Sequence, residues 1–258
     1  MNKVLLSVIV ITKDEQDNIE DCLESVKWAE EIIIVDSGST DKTEAICRKF
    51  TDNFYVKDWL GFGIQKQRAL NLATHEWVLS IDADERVTPE LKSEIIDKIT
   101  QNSNVGGYLI PRLSNYLGKD IYHAGWYPDY TLRLVKRKEA YFTRDVVHEK
   151  MIVKRKVEKL SNHFVHFPFK NIEHHFQKMN DYSTLSANKM YEEGKKISWI
   201  LIVLKTLLAF IRSYILKLGA LDGWPGFTVS VSTSLSVYMK YVKLKELSLF
   251  KEKPNNNF

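Results

Sequence analysis

The stretch Trp77-Val-Leu-Ser-Ile-Asp82-Ala-Asp84-Glu85-Arg86 decides how the rest of the chain is read. An apolar run enters two carboxylates spaced i, i+2, and a third acid follows. On a strand, residues i and i+2 share a face, so the spacing predicts Asp82 and Asp84 side by side where the strand ends. Two carboxylates so placed suit a hard divalent cation that also carries a phosphate ligand. A solvated acidic turn is the plain alternative, and the segments before this one bear on the choice.

Leu5 to Ile11 is apolar except for Ser7, as expected of a strand buried on both faces. It runs into the polar loop Thr12-Lys-Asp-Glu15. Ile19, Cys22, Leu23 and Val26 follow helical spacing. Ile32–Val35 reads as a second buried strand, ending in Asp36-Ser-Gly-Ser-Thr-Asp41, where Asp41 and Glu44 resemble a capping box. Residues 54–56 form a third strand, 64–73 a helix carrying Gln65, Lys66, Arg68 and Asn71, and 77–81 the fourth strand. Thr88-Pro89-Glu90 opens another helix. Strands alternating with helices define an α/β domain, whose ligands sit beyond the carboxyl ends of the strands. Three strands end in acidic loops, and their convergence on one rim predicts a site.

The totals fit. The 258 residues carry a net charge of +4, divided between a slightly acidic segment 1–169 and a basic segment 170–258. Two cysteines imply no disulfide framework. The amino terminus lacks the pattern of a signal peptide. Nothing points to nucleic acid.

Val8-Ile-Val-Ile-Thr12 with Asp14-Glu15, then Ile34-Val35-Asp36-Ser-Gly-Ser-Thr40-Asp41, then Asp82-Ala-Asp84 resemble the nucleotide-sugar domain of glycosyltransferase family 2, above all bacterial lipopolysaccharide-core glucosyltransferases. The resemblance implies a GT-A fold, an inverting mechanism, a nucleoside-diphosphate sugar donor with UDP-glucose as the default, and Mg2+ or Mn2+. It implies Thr12 and Glu15 in the nucleotide pocket, Asp36 on the base, Arg68 and Asn71 near ribose or phosphates, Asp82 near the ribose or sugar, and Asp84 on the metal. Arg68 offers a permanently charged planar fork for phosphate oxygens.

Tyr108–Leu117 and Asp120–His123 read as a hairpin around Gly118-Lys119. Beyond it, Trp126-Tyr-Pro128-Asp129, Arg133-Leu134 and Val147-His148-Glu149 resemble elements of the same subgroup. An inverting transferase needs one base for the acceptor hydroxyl proton. Glu149 is the first candidate and Asp129 the second, with His148 as a metal ligand. The histidines at 163, 166, 174 and 175 make no convincing zinc site, since His163 and His166 have no matched acid or cysteine partners nearby, and they read as structural or surface residues.

Residues 170–258 form a helical region. In Ile197–Leu218, the polar residues Ser198, Lys205, Thr206, Arg212, Ser213 and Lys217 fall on one arc at about 100° per residue. The remainder is apolar. This predicts an amphipathic helix on an anionic membrane surface, with packing on protein as the alternative. The domains expected are thus 1–169, a transferase domain, and 170–258, a membrane-associated tail. The partners expected are a sugar-nucleotide donor and a glycan or lipid-linked acceptor, met at the inner face of the cytoplasmic membrane. A haloacid-dehalogenase-like phosphatase also places D-x-D at a strand end, but typically on its first strand. An inactive nucleotide-sugar-binding scaffold is the third reading.

Overall fold

The computed structural model describes residues 4–101, 104–143 and 150–251. In chain order the elements are β1 (Val4–Thr12), α1 (Ile19–Val26), β2 (Ala29–Asp36), α2 (Thr43–Cys47), β3 (Phe54–Val56), α3 (Phe62–Leu72), β4 (Trp77–Asp82), β5 (Glu85–Val87) and α4 (Pro89–Thr100). Then come β6 (Val105–Tyr116), β7 (Lys119–Ile121), β8 (Asp129–Lys136), β9 (Ala140–Phe142), β10 (Met151–Val153), β11 (Lys156–Lys159) and β12 (Phe164–His166). Helices α5 (Ile172–Glu192), α6 (Trp199–Ile211) and α7 (Gly223–Lys251) complete the chain. It divides into two compact units, Met1–Leu113 with Asp129–His166, and Ser114–Pro128 with Phe167–Phe258.

The first unit is built on a mixed sheet in the order β3-β2-β1-β4-β8-β6-β12-β5. Strands β1 to β4 are parallel neighbours where they pair, and β8 runs antiparallel to both β4 and β6. Alternation of side chains divides the core between the two faces. Val8, Val10, Ile32, Ile34, Leu79 and Ile81 pack with α1 and α4. Ile9, Ile33, Val35 and Val78 pack with Ala69 and Leu70 of α3. Burial on both faces is why these strands read as continuous apolar runs.

The register positions the site. Thr12 lies opposite Asp36 and Ile11 opposite Asp82, so the loops after β1, β2 and β4 leave the same edge of the sheet. One expectation is corrected. Strand β4 ends at Asp82, Ala83 and Asp84 form a turn, and β5 begins at Glu85. The two-residue alternation stops at Asp82, so Asp82 and Asp84 meet different partners instead of standing side by side. Glu85 is fully buried and is no rim acid.

In the second unit, the end of β6 and β7 form a hairpin pairing Ser114 with Ile121 and Tyr116 with Lys119. Leu117 and Gly118 at its turn both have positive φ, 54° and 78°, as a two-residue hairpin turn requires. Tyr116, Ile121, Ala124 and Val229 make a small core with Trp126 and Phe169. Helix α7 packs against α5 and α6. The Lys243 ammonium donates to Asn180, Ser183 and Thr184 of α5 at 2.7–2.8 Å. A 3-10 turn over Gly219–Asp222 leads directly into α7. Residues Trp199–Leu216 are long and apolar enough to cross a membrane by length and composition. Within α6, only Ile202 is fully buried.

Candidate active site

The loops after β1 and β2 are zipped together by short polar side chains. Asp36 is 2% exposed. Its carboxylate accepts from Thr12 Oγ1 at 2.9 Å, from the Gly38 and Ser39 amides at 2.7 Å each, and from Ser39 Oγ at 2.5 Å. These four bonds use the acceptor capacity of a carboxylate. Asp14, at φ 54°, accepts from the Thr40 amide at 2.7 Å, and that backbone bond is the main reason its carboxyl is lowered. The Gln16 amide donates to Asp41, and the Glu15 amide donates to Thr43 Oγ1 at 2.8 Å. The Glu15 carboxylate accepts from Asn18 Nδ2 at 2.9 Å.

Helix α3 joins this rim through Gln65, whose amide nitrogen donates to Ser37 Oγ at 2.9 Å and to the Lys57 carbonyl at 3.2 Å. Arg68 donates to Gln65 Oε1 at 2.6 Å and to the Asp58 carbonyl at 2.7 Å. Arg68 is therefore tied to the rim. Asn71 is exposed one turn further along α3 and accepts from Gln67 instead.

Beneath the turn after β4 lies an ion-pair network. Asp82 Oδ1 stands 3.0 Å from Lys66 Nζ, and Oδ2 accepts from Arg133. Arg133 also donates to Glu85 at 2.7 Å, and the second Glu85 oxygen accepts from the Asp82 amide at 3.0 Å. Arg112 bridges Glu85, at 3.4 Å, and Asp129. Burial alone would raise the Asp82 carboxyl, but Arg133 and Lys66 outweigh it and hold the group well below the usual carboxylate range. Burial prevails at Glu85 and raises it despite Arg133. Three cations thus face Asp82, Glu85 and Asp129. Asp84 adds a further acid, its Oδ2 3.5 Å from His166 Nε2 on β12, which pairs antiparallel with β5.

The predicted residues Thr12, Glu15, Asp36, Arg68, Asp82 and Asp84 belong to the loops and helix of this edge, and Asp129 is linked to them through Arg112 and Glu85. His148 and Glu149 lie outside the described residues. Sequence reasoning gave no role to Lys66, Glu85 or Arg112, and read His166 as structural. Arg133 entered only through the resemblance of its segment. Both cysteines are buried, and burial pushes their thiols up, Cys47 to about 12, so neither is a ready nucleophile.

Residues 7–161 match the family model described as Glycosyl transferase family 2, and the chain belongs to that family. Its first unit has the GT-A-type mixed sheet, and the phosphatase reading falls away. An uncharacterized glycosyltransferase of Rickettsia bellii (strain RML369-C) is 31% identical over 257 residues, covering 95% of this chain and 87% of the relative. The lipopolysaccharide core biosynthesis glycosyltransferase LpsC of Rhizobium meliloti (strain 1021) is 28% identical over 260 residues, covering 98% and 96%. Among solved structures, S. aureus TarS 1–349 in complex with UDP aligns with a TM-score of 0.46 and 16% identity, covering 99% of this chain and 94% of that one.

Proposed function

We propose that this family 2 glycosyltransferase moves a hexose, by default from UDP-glucose, to a hydroxyl of a lipid-linked or lipopolysaccharide-core acceptor, with inversion at the anomeric carbon. The observation that carries the reading is the Asp84–His166 pair at 3.5 Å, beside the turn where β4 delivers Asp82. One carboxylate and one imidazole at that separation fit a shared Mg2+ or Mn2+ whose remaining positions go to phosphate oxygens and water. Among the described residues no group of three or more His, Cys, Asp or Glu side chains could hold a metal by itself, which suits a site completed by the donor. The ion would neutralise charge on the departing diphosphate. His148, outside the described residues, is a further candidate ligand.

The chain's own groups take the other roles. Asp36 and Thr12 hold the loop that receives the nucleotide, with Glu15 beside it, and Arg68 supplies a cation for the phosphates. Asn71, turned to solvent, is the weakest member of the donor set. Asp82, locked by Lys66 and Arg133, sets the floor under the sugar. Asp129 is 49% exposed on its side chain and is anchored by Arg112. It or Glu149 takes the acceptor hydroxyl proton as that oxygen attacks the anomeric carbon and UDP leaves. The acceptor assignment is supported by the likeness to LpsC, which spans both chains, and by the apolar outer face of α6. The enzyme would work peripherally at the inner face of the cytoplasmic membrane.

The test is transfer of glucose from UDP-glucose to a deacylated lipopolysaccharide-core acceptor in the presence of Mn2+, followed by mass spectrometry. A product heavier by one hexose, lost in Glu149→Gln or Asp129→Asn while UDP still binds, is expected. Absence of product with every nucleotide sugar tried would contradict the reading.

A further inference from the structure

The second unit contains a cavity of about 490 Å³. Lys205, Arg212, Lys217 and Lys240 line it together with Trp126 and Tyr241, and none of its lining residues is acidic. Among the described residues no carboxylate pairs with any of these four cations. The Lys205 and Lys240 ammonium groups lie 5.5 and 4.8 Å from the Tyr241 ring centroid, which orients them without neutralising them. Four cations around one opening with no acid in its lining favour an anion there, because a counter-charge relieves their mutual repulsion.

The cavity is built from fixed backbone. Helix α6 passes through a π turn at Arg212–Leu216, a device that re-aims side chains and recurs at functional sites. Ser213 Oγ donates to the Ala124 carbonyl at 3.1 Å, and the Ala124 amide donates to the Lys217 carbonyl at 2.9 Å. Gly125, at φ +87°, has no side chain where Lys217 crosses it, and a Cβ there would lie 2.6 Å from Lys217 Cδ. The turn therefore holds Ser213 and Lys217 against the 124–126 loop.

The exposed face of the helices that line the cavity names the occupant. Trp199, Ile200, Leu204, Leu207, Leu208 and Ile215 of α6 and its extension are exposed, and Trp224 and Phe227 of α7 are exposed as well. An apolar face bordering a ring of cations is complementary to a lipid surface, with acyl chains against the helix and phosphates at the cations. We propose that this cavity seats the phosphate of an anionic membrane lipid headgroup and so fixes the depth and orientation of the second unit on the bilayer. The inference rests on the membrane-facing reading of α6 and adds a discrete site to it.

The test is flotation with vesicles of phosphatidylcholine alone or mixed with phosphatidylglycerol. The native chain should float with the mixed vesicles far more than with the neutral ones. K205Q/R212Q/K217Q should lose about fivefold in partition per charge removed, whereas K189Q/K195Q/K196Q, which removes as many charges elsewhere in this unit, should stay near native. K205R/K217R should float as the native chain does, and circular dichroism checks that each variant is folded. Equal weakening by the two triple variants would overturn the site in favour of diffuse surface charge. Native-like flotation of the cavity variant would overturn the site while leaving the membrane reading intact. No flotation of the native chain would overturn both.

Discussion

Asp84 and His166 are far apart in the first unit's sequence, yet the antiparallel pairing of β5 with β12 brings Oδ2 and Nε2 within 3.5 Å of one another. Glu85 pairs with His166 in that register, so the turn carrying Asp84 is held against the histidine by backbone bonds. The proposed reading assigns this carboxylate and imidazole to one divalent cation.

Asp84→Ala and His166→Ala should each weaken Mn2+-dependent UDP binding by more than the roughly 10–100-fold typical of losing an outer-shell partner. Both should leave thermal stability close to native, since the two side chains are partly exposed. Calorimetry with UDP in the presence of Mn2+ reads this directly. Native affinity in either variant would remove that residue from the metal site.

Arg133 is the shared cation of Asp82 and Glu85. Arg133→Met leaves two carboxylates adjacent in a buried site, which costs about 3–5 kcal/mol. Urea unfolding at neutral pH measures it, and a loss under about 1 kcal/mol would refute the role given to the network. Adding Glu85→Gln to Arg133→Met should recover part of the loss, because one of the stranded charges is gone.

The second unit contains a pH-sensitive pair. His175 is buried, its Nδ1 2.7 Å from Tyr116 Oη and its ring stacked on Phe169 at 4.1 Å. Burial, with a smaller contribution from His174, lowers its pKa from 6.5 to about 4. The unfolded chain therefore binds more protons between those values. The stability this neutral histidine contributes is fully present above pH 6.5 and is lost as pH falls toward 4, by roughly 2–3 kcal/mol. Denaturant unfolding at pH 7 and pH 5 should show the decline in the native chain and a smaller one in His175→Gln. Identical declines would contradict the assignment.

Gly226 opens α7 against the preceding 3-10 turn, where a Cβ would stand 2.0 Å from the Gly219 carbonyl oxygen and 2.8 Å from Asp222 Cβ. Asp222 is itself held by His123, whose amide and Nδ1 both lie 2.8 Å from its oxygens. Gly226→Ala should cost about 1–3 kcal/mol by overpacking, visible as a lowered Tm. A neutral effect would mean that the turn yields freely.

The fold could be read largely from the chain because the strands are buried on both faces, and apolar runs such as Leu5–Ile11 carry that signal locally. The acidic loops were legible for the same reason, since each follows directly from a strand end. What escaped was long-range. Arg112 reads as an ordinary strand residue, and Arg133 as no more than part of a familiar segment, until β6 and β8 bring both to Glu85. Nothing in the local sequence marks His166, and Asp84 reaches it through the β5–β12 pairing. The side-by-side picture of Asp82 and Asp84 failed because local spacing cannot reveal that a strand stops at the first of them. The spacing of Lys205, Arg212 and Lys217 suggests a shared face, but the cavity they line with Lys240 needs α7 and the 124–126 loop.

The central claim is a nucleotide site completed by a divalent cation at Asp84. Calorimetric titration of the native chain with UDP, GDP and dTDP, each with and without Mn2+, tests it most directly. The account predicts tight binding of UDP with Mn2+ and little without it, and weak binding of the other two nucleotides. Binding of UDP that is equally tight without metal, or no binding of any of the three, would contradict it.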